Sequence, residues 1–184
     1  MFFTWRLHGS LPPNRSFASE ISSGQGFVAM DRILDSTATG PLFLRMPDIA
    51  NMVVNAIQYR DDRDGSLRHY QLHAFVVMPN HVHLLMTPLV EVSKVMQSLK
   101  RFTAREGNRI LGLTGKPFWQ DESYDRLVRN ETEFERIADY VAWNPVKAGL
   151  VATPEAFPWS SAGPIDNRPQ VDNLPHSGEQ PGAS

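Results

Sequence analysis

The stretch that decides the fold is Leu72-His73-Ala74-Phe75-Val76-Val77-Met78-Pro79-Asn80-His81-Val82-His83-Leu84-Leu85-Met86. Two apolar segments flank Met78-Pro79-Asn80, a pattern typical of two strands joined by a hairpin turn. Because successive side chains of a strand point to opposite faces, His81 and His83 share one face and Val82 points to the other, which we expect to be the core. Two neighbouring imidazoles can hold one metal ion, but they are also compatible with a pair that binds nothing.

Length and composition place the chain among single-domain proteins. The 184 residues predict a domain over 1–161 and an acidic, proline-rich, disordered tail over 162–184. Cysteine is absent, which excludes disulfides and a thiolate zinc site. No apolar run is long enough to cross a membrane and no leader opens the chain, so we expect a cytoplasmic protein without membrane association.

The charge is unevenly distributed. The formal net charge is -2, which argues weakly against bulk binding of nucleic acid. Between Lys94 and Lys116, however, six lysines and arginines stand against the single acid Glu106. A charged helix face of this kind is either solvated or used to contact phosphates.

Periodicity gives the order of the remaining elements. Phe2 to His8 alternates as a strand, Phe27 to Leu34 is a weaker strand candidate, and a helix begins at Asp48. A second helix with an apolar stripe from Val92 to Phe102 follows the hairpin, and Gly107 to Pro117 breaks its pattern. The order of strands and helices predicts an α+β fold, an antiparallel sheet with helices packed on it.

The last third of the chain predicts a further extended segment and a helix. Phe118 to Val128 is interrupted but extended in character, and Asn130 with Glu133 three residues later resembles a capping box. Pro145 is expected to end or kink this helix. On it, Arg136, Tyr140 and Asn144 are spaced by four and therefore lie along one face. By itself Tyr140 is more typical of a packing residue at the edge of a core stripe, with its hydroxyl in water.

Taken in order, these blocks resemble the single-tyrosine HUH endonucleases and transposases, and most closely the REP-associated tyrosine transposases. The blocks that carry the resemblance are Met78-Pro79-Asn80-His81-Val82-His83-Leu84-Leu85, Phe118-Trp119-Gln120, Tyr140-Val141-Ala142-Trp143-Asn144-Pro145-Val146-Lys147-Ala148-Gly149-Leu150 and Pro158-Trp159-Ser160-Ser161. Extra residues usually precede the first strand in that branch, whereas this chain begins inside it. Either the start is mis-assigned or that segment is absent.

The resemblance implies a ferredoxin-like (RRM-like) antiparallel sheet with helices packed on one face and the HUH motif on a central strand. It implies that His81, His83 and Asn144 hold a divalent ion, Mg or Mn, and that Tyr140 is the nucleophile. The implied reaction is metal-dependent nicking and strand transfer of single-stranded or hairpin DNA through a 5′-phosphotyrosine intermediate, as in DNA transposition. Asn144 stands where the insertion-sequence branch usually has glutamine, and the Asn-Pro pair favours the REP-associated branch.

Several alternatives remain open from the residues alone. Tyr124 is a competing nucleophile, although no amide lies one helical turn away from it. DNA contacts are expected from the basic residues Lys94, Lys100, Arg101, Arg105 and Arg136, and Trp119 or Trp143 is a candidate for stacking an unpaired base. The rival function is a non-catalytic protein that binds single-stranded or hairpin DNA and acts as a regulator. Monomer and homodimer are both compatible with the sequence, as are tyrosines acting in their own subunit or in the partner.

Overall fold

The computed structural model describes residues 1–11, 33–34, 40–59 and 68–163. Most of the strand predicted at Phe27 to Leu34 lies outside these ranges, and its last two residues, Ile33 and Leu34, are helical. The predicted tail, apart from its first two residues, also lies outside them, so the division at residue 161 stays a prediction. No helix of the described part is long and apolar enough to cross a membrane.

Four strands form one antiparallel sheet: β1 (Phe2–Leu7), β2 (Tyr70–Val77), β3 (His81–Pro88) and β4 (Trp119–Arg126). Their spatial order is β2-β3-β1-β4. Helix α1 (Pro47–Tyr59) connects β1 to β2, α2 (Val92–Leu111) connects β3 to β4, and α3 (Glu131–Lys147) follows β4. This order of elements and strands is that of a ferredoxin-like sheet. The predicted α+β fold with an antiparallel sheet is therefore confirmed.

Each face of the sheet is covered by different helices. Phe3, Trp5 and Leu7 of β1 pack with Val82 and Leu84 of β3 against α1 and α2, and this is the larger core. The alternation predicted for β1 and β3 is thus confirmed, because these side chains share a face and are buried.

The prediction that all helices pack on one face is wrong. Helix α3 covers the other face, where its residues Ile137 and Val141 pack against Phe2, Val76 and Leu85. The cause is that both faces carry apolar residues, so each must be covered to remove that surface from water. The face that carries the two histidines is consequently enclosed by α3.

Two boundaries differ from those predicted. Helix α2 continues past Gly107 to Leu111 and ends where Gly112 adopts a positive φ of 66°. Gly107 is buried, and a Cβ at this position would lie 2.5 Å from Cε2 of Phe118. Gly107 interrupts the apolar pattern of α2, but it allows the helix to pack closely against Phe118, the residue before β4. Of the two effects expected of Pro145, it does not end α3, which includes it and continues to Lys147.

The predicted start of α3 agrees with the structure. Asn130 is the N-cap of α3, and its Oδ1 accepts a hydrogen bond of 2.8 Å from the backbone N–H of Glu133. The segment after α3 returns to the sheet and covers the outer edge of β2. There Val77 N donates to Trp159 O at 2.8 Å, and Ser161 N donates to Phe75 O at 2.9 Å. The block Pro158-Trp159-Ser160-Ser161 therefore protects a strand edge.

Candidate active site

The two histidines lie side by side on β3, which pairs with β1 and β2. Both side chains are fully buried, and their Nε2 atoms are 3.1 Å apart. The rings are 4.7 Å apart between centroids and inclined by 73°, so both Nε2 atoms point at the same small volume. The face-sharing predicted from the His-Val-His pattern is therefore present in the fold.

The other ring nitrogen of each histidine has a buried polar neighbour. Nδ1 of His81 lies 2.7 Å from Oδ1 of Asn80, and Nδ2 of Asn80 donates to the carbonyl of Leu34 at 2.9 Å. Nδ1 of His83 lies 2.7 Å from Oγ1 of Thr4. Thr4 is the Cα partner of His83 in the β1–β3 register, which explains how a residue near the start of the chain reaches the site.

Helix α3 brings Asn144 and Tyr140 to the same pair. Asn144 is buried, and its Nδ2 lies 3.4 Å from Nε2 of His83. The ring of Tyr140 lies 5.6 Å from the ring of His83 between centroids, with an interplanar angle of 67°. The four residues that the sequence predicts as a site, His81, His83, Tyr140 and Asn144, are therefore neighbours in this structure.

Phe2 and Lys147 also lie beside Tyr140. The ring of Phe2 stacks on His83 at 5.7 Å and meets Tyr140 edge to face at 6.4 Å. The Lys147 Nζ lies 5.0 Å from the centroid of the Tyr140 ring. A cation over an aromatic face is attracted by the ring quadrupole, and this contact limits the positions open to the tyrosine.

A buried arginine flanks the histidines on the side of β4. Arg6 is the Cα partner of His81, is 3% exposed and lies 3.7 Å from Oε2 of Glu122. Burial lowers the pKa of the Arg6 guanidinium, and the charge of Glu122 partly opposes this. The sheet thus contributes four neighbouring polar side chains to the site: Thr4 and Arg6 from β1 and the two histidines from β3.

The competing tyrosine, Tyr124, also lies near the sheet face that α3 covers, but in another network. It is the Cα partner of Thr4, and its ring meets Phe2 edge to face at 6.3 Å. Its side chain is hydrogen-bonded to Arg126, which is the main reason that the pKa of that guanidinium is raised. Arg126 also forms an ion pair with Glu133 at the start of α3. Tyr124 is therefore tied to the junction between β4 and α3.

The predicted DNA-binding residues are divided between two sides of the sheet. Lys94, Lys100, Arg101 and Arg105 lie on α2, across the sheet from the histidines, and only Arg136 lies on the helix of Tyr140. Exposed Lys94 pairs with exposed Glu91 at 3.1 Å, and exposed Arg105 pairs with half-buried Glu106 at 2.9 Å. Arg101 and Arg136 are exposed.

Lys100 differs from these residues because its amine is hydrogen-bonded to the backbone of β4. Its Nζ donates to the carbonyls of Gln120 at 2.8 Å and Asp121 at 3.0 Å, and burial lowers its pKa. This amine holds α2 to β4, which makes it a poor candidate for a phosphate contact. The two tryptophans also differ: Trp119 is buried and donates its Nε1–H to Thr103 at 2.8 Å, whereas Trp143 is 47% exposed.

Sequence reasoning gave no role to Thr4, Asn80, Arg6 or Lys147. Lys147 is seven residues after Tyr140, so helical spacing contained the signal that it lies on the same face. Asn80 directly precedes His81 in the chain. Thr4 and Arg6 could be found only with the β1–β3 register, which periodicity does not provide. Within the described residues no group of three or more His, Cys, Asp or Glu side chains is close enough to hold a metal ion.

The chain is similar in sequence and in fold to known proteins. Residues 65–144 match the family model described as "Transposase IS200 like". The REP-associated tyrosine transposase of Escherichia coli (strain K12) is 31% identical over 94 residues, which cover 51% of this chain and 55% of that protein. The chain thus spans just over half the length of this relative.

A solved structure described as a REP-associated tyrosine transposase bound to a REP hairpin aligns with 99% of this chain and 92% of its own, with a TM-score of 0.55 and 22% identity. At that identity the likeness shows a shared fold. Residues 65–144 of the chain are therefore similar to the IS200-like transposases, in line with the resemblance. More particularly, the named relatives are REP-associated tyrosine transposases.

Proposed function

We propose that this protein is a tyrosine transposase that nicks and transfers single-stranded DNA containing REP-type hairpins, with Tyr140 as nucleophile and a divalent ion held by His81, His83 and Asn144. The observation that carries the proposal is the convergence of two imidazole Nε2 atoms 3.1 Å apart, a buried carboxamide 3.4 Å from one of them and a tyrosine ring beside the same histidine. The E. coli relative is a tyrosine transposase by name, and the aligned structure contains a REP hairpin.

The donor set fits a divalent ion. Two ligand atoms at about 2.1 Å from an octahedral ion and at right angles are about 3.0 Å apart, which agrees with the Nε2 separation of 3.1 Å. The carboxamide of Asn144 supplies an oxygen donor, and three protein ligands leave positions open for substrate and water. All three side chains are neutral, so the DNA phosphate would supply the negative charge that compensates the ion. When bound, Mg²⁺ or Mn²⁺ would withdraw negative charge from the phosphate oxygens.

The residues of the chain define the remaining chemistry. The phenolic oxygen of Tyr140 forms a bond to phosphorus while the bond from phosphorus to the 3′ oxygen breaks. The phenolic proton is released and the departing oxygen gains one, so the products are a 5′-phosphotyrosine and a free 3′ hydroxyl. Because one ester replaces another, the energy of the cleaved bond is retained for rejoining. Phe2 and Lys147 restrict the Tyr140 ring and so favour one direction of attack.

We further propose that Tyr140 acts with the histidines of its own subunit. This is supported by the contact between the Tyr140 and His83 rings within one chain, at 5.6 Å. We propose that Arg136 and Trp143 contact the DNA, because both lie on α3 near Tyr140. Lys100 is not proposed as a contact, because its amine already bonds two carbonyls. The contribution of Lys94, Arg101 and Arg105 requires that DNA also reach the opposite side of the sheet.

The test is a denaturing gel of protein mixed with end-labelled single-stranded DNA carrying a hairpin, in Mg²⁺ or Mn²⁺ and in chelator. Wild type should give a heat-stable protein–DNA adduct that is absent with chelator and in Tyr140→Phe. Tyr124→Phe is the matched control, because it removes a hydroxyl from the same region and should retain the adduct. His83→Ala should abolish the adduct, whereas His73→Ala, on the neighbouring strand and bonded to Thr87, should not.

Binding is measured in parallel by fluorescence anisotropy on the same DNA. If Tyr140→Phe binds normally but forms no adduct, the nucleophile is established. If wild type binds hairpin DNA and yields no adduct on any substrate or ion, the proposal fails and the rival function, a non-catalytic DNA-binding regulator, is favoured. An adduct that persists in Tyr140→Phe and disappears in Tyr124→Phe would reassign the nucleophile.

A further inference from the structure

The amide of Asn80 has one orientation available to it. Its nitrogen is 2.9 Å from the carbonyl of Leu34, and because a carbonyl can only accept, the NH₂ group must face it. The oxygen of Asn80 therefore faces Nδ1 of His81 at 2.7 Å. Because an amide oxygen also only accepts, Nδ1 of His81 must carry the hydrogen, and the Nε2 of a neutral ring then carries a lone pair.

The neighbour of His83 is different in kind. Thr4 Oγ1, 2.7 Å from Nδ1 of His83, belongs to a hydroxyl that can donate or accept. The two Nε2 atoms are 3.1 Å apart, and since the neutral His81 ring presents a lone pair there, His83 must present its hydrogen in this arrangement. The Asn144 amide, 3.4 Å from the same Nε2, must then turn its oxygen rather than its nitrogen toward it. Nδ1 of His83 then accepts from Thr4. If both Nε2 atoms instead hold an ion, the hydrogen of His83 must move to Nδ1, and the Thr4 hydroxyl must turn to accept it.

We propose that Asn80 and Thr4 are positioning residues that set the tautomers of the two histidines in different ways. Asn80 fixes His81 permanently in the form that can ligate through Nε2. Thr4 supports either tautomer of His83. Before an ion binds, the hydrogen on Nε2 of His83 is therefore shared with Nε2 of His81, and binding of an ion breaks this hydrogen bond between the two rings. The part of this proposal that concerns ion binding rests on the proposed function. The tautomers expected in the metal-free protein do not depend on it.

The first measurement is therefore made without metal or DNA. Long-range ¹H–¹⁵N spectra of protein labelled at histidine distinguish the two tautomers of each ring. We expect His81 as the Nδ1–H form and His83 as the Nε2–H form in metal-free wild type. Addition of Mg²⁺, which is diamagnetic, should convert His83 to the Nδ1–H form and leave His81 unchanged. A metal-free His81 in the Nε2–H form would overturn the proposal.

Four variants separate positioning from packing. Asn80→Ala should release His81 into a mixture of tautomers, whereas Asn80→Asp, whose oxygen still accepts from Nδ1, should keep the wild-type tautomer even though it loses the bond to Leu34. Thr4→Val has the shape of threonine but cannot accept a hydrogen, and Thr4→Ser restores the hydroxyl. Backbone amide spectra of the same samples report whether each variant is folded.

Affinity for Mn²⁺, measured by titration calorimetry, gives the second readout. Loss of a hydrogen-bonding neighbour of a metal-ligating histidine typically lowers affinity about 10–100-fold, so Asn80→Ala and Thr4→Val should bind that much more weakly than Asn80→Asp and Thr4→Ser. If folded Asn80→Ala keeps both the His81 tautomer and the affinity, Asn80 only packs and the proposal is wrong. If wild type binds no ion, the proposed metal dependence fails, while the metal-free spectra still decide the role of Asn80.

Discussion

Replacement of Gly107 by alanine tests how tightly α2 packs on β4. The Cβ would lie 2.5 and 2.6 Å from Cε2 and Cζ of Phe118, whereas carbon atoms in favourable contact are about 3.5–4.0 Å apart. The Phe118 ring is buried and lies between Trp119, at 4.8 Å, and Phe43, at 6.5 Å between centroids. It can move aside only by displacing those rings, so the substitution forces a shift of about 1 Å.

Two terms of opposite sign set the magnitude. Overpacking of this kind costs about 1–3 kcal/mol. Alanine in place of glycine inside a helix stabilises it by about 1 kcal/mol. We therefore expect Gly107→Ala to lower the free energy of unfolding by up to about 2 kcal/mol. Removing the ring should reverse the sign, so that the same substitution stabilises a Phe118→Ala background by roughly 0.5–1 kcal/mol.

The assay is urea unfolding of the four members of this double-mutant cycle, followed by circular dichroism. A coupling energy of about 1–3 kcal/mol between the two positions is the expected result. If Gly107→Ala has the same effect with and without the Phe118 ring, the contact does not determine the glycine, and the explanation given for the length of α2 is refuted.

The remaining predictions concern DNA. Mixing Tyr140→Phe with His83→Ala should restore no adduct if the tyrosine acts within its own subunit, and recovery of adduct formation in the mixture would show action across subunits. Trp143→Ala should weaken binding of single-stranded DNA about 5–150-fold, while Trp143→Phe, which keeps an aromatic face, should bind nearly as wild type; equal loss in both would exclude stacking. Arg136→Ala should reduce the slope of log affinity against log salt concentration by about 1, whereas Lys100→Met should leave that slope unchanged and lower the melting temperature instead.

Local pattern was sufficient for most strands and helices and for the shared face of His81 and His83. The alternation of Phe3, Trp5 and Leu7 gave the inward face of β1, and the His-x-His spacing gave two imidazoles on one face. These inferences succeed because the period of an element is a property of neighbouring residues. The capping box at Asn130 succeeded for the same reason.

Pattern was insufficient wherever a residue is explained by a distant partner. The glycine at position 107 of α2 is explained only by its contact with Phe118, eleven positions away and directly before β4. The environment of Lys100 is likewise made by two carbonyls of β4. The assignment of all helices to one face failed because the apolar stripe of α3 does not state which face it will cover. The contact between Thr4 and His83 could not be predicted from the sequence, because it depends on the register between β1 and β3, which is fixed by the whole sheet.

The inner position of β1 also determines when the site can exist during folding. The Thr4–His83 contact joins residues separated by 79 positions, and the Asn144–His83 contact spans 61. Closing such loops loses chain entropy before contacts repay it, which makes long-range strand pairing a slow step. A hairpin of β2 and β3 formed alone carries both histidines with neither Thr4 nor Asn144 beside them. A chain still folding therefore has the His-Val-His motif without its neighbours, and the candidate site is complete only after β1 and α3 have packed against the hairpin.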